Sequence, residues 1–98
     1  MFLIDMCFRS PDAITPELRA SHRAHLAPEY TKGNLIVGGR KSERTGGFIL
    51  SRHASREDVK HLIDRDPLVL AGLATVTIAE FEPVMAADAH SDLLKSPD

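Results

Sequence analysis

A single cysteine among 98 residues, Cys7, excludes an intrachain disulfide and the paired-cysteine spacing of a zinc site. It therefore reads as a packing residue rather than a reactive one. No apolar run approaches the about 20 residues that a membrane-spanning helix needs. Asp5 and Arg9 interrupt the one apolar stretch near the N-terminus, which argues against a signal peptide, so a cytoplasmic protein is expected. Charge of one sign is also lacking. With 12 Lys and Arg against 14 Asp and Glu, a net charge of −2 gives no electrostatic reason to expect nucleic acid or a membrane surface as partner.

What is present is the composition of an ordinary soluble domain, 43% hydrophobic and 27% charged, in a chain long enough for one core and too short for two. Residues 1–84 read as that domain and 85–98, where small, polar and charged residues take over, as a mobile tail with room for a fragment of helix.

The elements follow from periodicity and punctuation. Residues 2–9 alternate at period two, with Phe2, Ile4, Met6 and Phe8 on one face and Leu3, Asp5, Cys7 and Arg9 on the other. The second face suits a cleft or a subunit contact, which makes Asp5 a secondary site candidate. Thr15-Pro16-Glu17 is a helix start, and Leu18, Leu26 and Tyr30 form an apolar stripe with His22 inside it and His25 at its edge. Pro28 conflicts with that helix and predicts a kink or an early stop near Ala24 to Ala27; Gly33 caps the segment.

Asn34–Arg40 and Gly46–Arg52 read as an antiparallel hairpin around a polar loop. Its glycines 38, 39, 46 and 47 suit a bulge, a tight hairpin or, less commonly, close approach of a ligand. Ser55 opens a second helix ending near Arg65, and Asp66-Pro67 starts a short further turn that closes at Gly72. Leu73–Val84 reads as the fourth strand. The order β-α-β-β-α-β predicts an α+β, ferredoxin-like fold, with helices on one face of a four-stranded antiparallel sheet and the other face open. An uncovered, partly apolar sheet face predicts a symmetric homodimer.

The chain resembles the YciI-like (YCII-related) family of small dimeric α+β barrels. The resemblance is carried by His25-Leu26, Gly33-x-Leu35 with Gly38, Gly46-Gly47-Phe48, Asp66-Pro67 with Gly72, and Glu80-Phe81, across roughly residues 2–84. It implies His25 and Asp66 as an active-site pair. Some relatives are dehalogenases of chlorinated muconolactones, which implies proton abstraction beside a lactone carbonyl with loss of chloride. Members often carry an arginine three positions before the histidine, where this chain has His22.

Each candidate has a plainer account. Asp66 is explained by helix capping, a role compatible with chemistry, and His25 by packing. His22, His25 and Asp66 together also have the residue types of a two-histidine, one-carboxylate metal site, but that spacing arises easily by chance, and neither a metal nor another cofactor is expected. His53, His61 and His90 read as exposed. Arg40, Lys41, Arg44 and Arg52 either form a solvated hairpin tip or receive a carboxylate substrate. Two functions remain. One is a small enzyme in which His25 is general base or acid, Asp66 orients it, and His22, Asp5 and Arg40 contact a small lactone or carboxylate substrate. The other is a dimeric, non-catalytic module that binds a small ligand in the same pocket.

Overall fold

The alternation of the first strand is realised as β1 (Phe2–Phe8), one of the two inner strands of a four-stranded sheet. A computed structural model describes residues 1–95. The order in the sheet is β2 (Leu35–Arg40), β3 (Gly46–Ser51), β1 and β4 (Ala74–Glu80), antiparallel throughout. This is the predicted α+β, ferredoxin-like arrangement. β4 is shorter than the expected 73–84: Phe81 still exchanges backbone hydrogen bonds with Met1 beside β1, and the chain turns away beyond it.

Three helices lie on one face: α1 (Pro16–Thr31), α2 (Arg56–Asp64) and the single turn α3 (Pro67–Leu70). Side-chain caps set their starts, Thr15, Ser55 and Asp66 each accepting a backbone N–H. Glycines set two of the ends. Gly33 (φ +82°) and Gly72 (φ +73°) adopt the left-handed conformation that closes α1 and α3 with paired Schellman hydrogen bonds. The expected break at Pro28 does not occur, and α1 runs through to Thr31. Pro28 and Ala24 both stand on the exposed side of α1, where water reaches the carbonyl that the proline leaves without a donor.

Phe2, Ile4 and Ile49 from the sheet meet Leu26 of α1 and Val59 and Ile63 of α2 in one buried cluster. Met6, Ile14, Leu68 and Ala74 form a second cluster beside α3. The opposite sheet face carries Leu3, Val37 and Phe48 in the open. Cys7 lies there too and is exposed, not packed, because it shares the parity of Leu3 and Asp5. Its neighbour Lys41 pairs with Asp5 at 2.7 Å. In the tail, Asp88–Leu94 forms short 3₁₀ turns, with Arg52 reaching Asp92. The last three residues of the expected mobile segment lie outside the described ones.

His53, expected at the surface, is buried. It links Glu29 near the end of α1 to Ser51 at the end of β3, with 2.6 Å between its Nε2 and Glu29 Oε1. The His53 hydrogen bond holds the Glu29 carboxyl below its ordinary value near 4.5, against the opposing effect of burial and with help from Lys32 and Asn34. A carboxyl whose folded pKa is lowered contributes stability above its unfolded pKa and loses it as pH falls through the folded one. Urea unfolding across this window should therefore find wild type losing stability as pH drops below 4.5, and Glu29→Gln losing less over the same range. Parallel curves for the two proteins would contradict this account.

Candidate active site

Asp66 is fully buried at the junction of α2 and α3, yet both its oxygens are used. Oδ1 caps α3 by accepting the Leu68 N–H at 2.8 Å, and Oδ2 lies 2.6 Å from His22 Nδ1. Pro67 at the first helical position makes the turn that aims the carboxylate back towards α1. A carboxylate only accepts, so the histidine donates from Nδ1. The Nε2 lone pair of the neutral ring is then left for another partner. The His22 side chain is 18% exposed, and it borders a cleft of about 690 Å³.

The expected pair of His25 with Asp66 is therefore not made; His22 takes that place. His25 Nε2 lies 2.7 Å from the Leu62 carbonyl oxygen, tying α1 to α2. One residue at the stripe's edge points to the neighbouring helix, while the residue inside the stripe points to the core carboxylate. With His25 engaged there, the imagined metal triad of His22, His25 and Asp66 does not converge, and among the described residues no other three His, Cys, Asp or Glu side chains do. Arg19, one turn before His22 on α1, also borders the cleft.

The cleft lies between α1 and the β2–β3 hairpin. Met6, Leu26, Ile49 and Leu68 give it an apolar floor, and Gly38, Gly39, Gly46 and Gly47 leave the hairpin wall as bare backbone. Gly46 could not be another residue without movement: its φ is +155° and a Cβ there would strike the Met6 carbonyl. Tyr30 lies two turns beyond His22 on the same side of α1, and its hydroxyl covers Gly38. Burial raises the pKa of that phenol, keeping it a hydrogen-bond donor. Arg40 borders the cleft, as does Arg44. Asp5 does not, because it faces the open side of the sheet with Lys41. Tyr30 and Arg23 were missed as site residues, although both sit on the cleft side of α1 within two turns of His22.

The sequence pattern of the YCII-related domain matches residues 1–82. The chain belongs to that family. Among solved structures it is similar to 5-chloro-2-hydroxyhydroquinone dehydrochlorinase from Burkholderia phenoliruptrix, determined in complex with 2,5-dihydroxybenzoquinone. The two are 26% identical with a TM-score of 0.69, over 82% of this chain and 91% of the other. No curated protein sequence matches it at a significant level.

Proposed function

We propose that this YCII-related protein is a small enzyme that uses His22 as general acid and base, oriented by Asp66, on a small ring substrate. The observation that carries the reading is the 2.6 Å contact between His22 Nδ1 and a fully buried Asp66, with the other edge of the ring left to the cleft. A buried carboxylate partner fixes the tautomer and balances the charge of the imidazolium when Nε2 takes a proton. His25, first expected as the base, serves as a tie between helices in this reading, and Arg40 contacts substrate.

The similarity to a dehydrochlorinase supports net loss of HCl from a chlorinated polyhydroxylated ring. In the tautomer that carries chlorine on a tetrahedral carbon, a ring hydroxyl gives its proton to His22 Nε2. The oxygen's electron pair moves through the ring, the C–Cl bond breaks and chloride leaves; the imidazolium then returns its proton to solvent. No oxidant is needed. Steady-state chloride release from 5-chloro-2-hydroxyhydroquinone should fall at least about 100-fold in His22→Asn, the scale of a lost general base, and by less than tenfold in His25→Gln. Equal loss in both variants would contradict the assignment. Ligand binding with no turnover in wild type would favour the non-catalytic binding module.

We also propose that the open sheet face pairs with a second copy. Leu3, Val37 and Phe48 there are exposed apolar residues on adjacent strands, a surface that soluble domains of this size bury against a partner. Sedimentation should give twice the 10.8 kDa chain mass, and Phe48→Glu should return the protein to one chain. A wild-type monomer at micromolar concentration would end this proposal.

A further inference from the structure

We propose that the cleft takes a flat ring bearing two anionic groups, one held from the helix wall by Arg19 and Arg23 and the other from the hairpin wall by Arg40 and Arg44. This rests on reading the cleft as the working site and goes beyond it, since 5-chloro-2-hydroxyhydroquinone carries hydroxyls and no fixed anions: a ring with two anionic groups should bind more tightly than that substrate.

Eight of the 12 Lys and Arg residues divide between carboxylate pairs and the cleft; the other four, Arg9, Arg56, Arg65 and Lys95, lie away from it, Arg56 bonding the Ile78 carbonyl and Arg65 the His61 ring. Lys32, Lys41, Arg52 and Lys60 each have a carboxylate within 4 Å. Arg19, Arg23, Arg40 and Arg44 all border the cleft, and among the described residues none of them has an acidic or hydrogen-bonded side-chain partner. Among the described residues, no Asp or Glu borders the cleft beside them. Acidic residues are not scarce, since they outnumber Lys and Arg by 14 to 12, yet those among the described residues sit elsewhere. Four guanidinium groups gathered without counter-charge repel one another, and an anion that enters relieves the repulsion while accepting paired N–H bonds.

The arrangement of the four constrains the ligand further. Arg19 and Arg23 are four residues apart on α1 and so share one side of it. Arg40 ends β2 and Arg44 lies in the loop that follows, across the cleft from the helix. Charge arriving from two opposed walls is matched by two anionic groups better than by one. Between the walls, the glycine backbone and the apolar floor admit a thin, carbon-rich body. The four cations named from sequence around the hairpin thus separate: Lys41 and Arg52 are occupied by Asp5 and Asp92, and only Arg40 and Arg44 face the cleft.

Calorimetric titration of the full chain with isophthalate, benzoate and benzamide tests this with rings of one shape and falling charge. Isophthalate should bind at least tenfold more tightly than benzoate, benzamide should bind weakest, and isophthalate affinity should drop as salt is raised. Arg40→Gln with Arg44→Gln, and separately Arg19→Gln with Arg23→Gln, should each weaken isophthalate at least tenfold and leave benzamide unchanged. Arg52→Gln, outside the cleft, should alter neither; circular dichroism checks that all variants fold. Equal binding of the three rings, no binding of any, or arginine variants that bind isophthalate like wild type would overturn the inference. Failure of the enzyme reading is separable: charge-dependent binding that survives in His22→Asn, with no turnover in wild type, removes the catalysis and leaves this ligand class standing.

Discussion

Asp66 is a carboxylate with no exposed surface, and a buried carboxylate stripped of partners costs several kcal/mol, of the order of 3–5 when one member of a buried pair is removed. Its two partners therefore restrict where the surrounding elements sit. The Leu68 N–H must come from the first turn of α3, and the His22 ring must come from the middle of α1. Satisfying both docks α1 against α3 and turns the imidazole towards the cleft. By comparison an exposed pair such as Lys60 with Asp64 is worth about 0.3–0.5 kcal/mol and positions nothing beyond its own helix.

The same contact connects fold to proposed chemistry. A residue that only capped a helix would be satisfied by one oxygen, and a residue that only oriented a histidine would not need Pro67 behind it. Asp66 does both, so the element that closes the helical layer also holds the ring. The hairpin supplies the opposite wall, and its glycines keep that wall thin. Arg40 and Arg44 on the hairpin side and Arg19 and Arg23 on the helix side bring charge to the rim above an apolar floor, while His25 and His53 serve as ties from α1 to α2 and to the end of β3.

Much of this was legible in the sequence because it is local. Thr15, Ser55 and Asp66-Pro67 announce helix starts by chemistry acting over two or three residues, and Gly33 and Gly72 announce ends by their freedom at positive φ. The alternation of residues 2–8 names the core face, and read strictly it also puts Cys7 on the open one. What was not legible depends on distant pairs. His22 and His25 lie about 60° apart around one helix, and the carboxylate that distinguishes them is 44 residues away. The stripe favoured His22, while the family resemblance drew attention to His25. His53 was not legible because one of its two ring partners, Glu29, is 24 residues earlier, and Ser51 two residues before it gives no sign of burial by itself.

The most direct measurement is the protonation of the His22 ring nitrogens, read from long-range proton–nitrogen correlation spectra at a pH where the ring is neutral. The account predicts the proton on Nδ1 in wild type and its transfer to Nε2 in Asp66→Asn, where an amide N–H faces Nδ1 and the amide oxygen still caps α3. A proton on Nε2 in both proteins would mean that Asp66 does not set the tautomer, and the proposed base at the cleft would have no lone pair to act with.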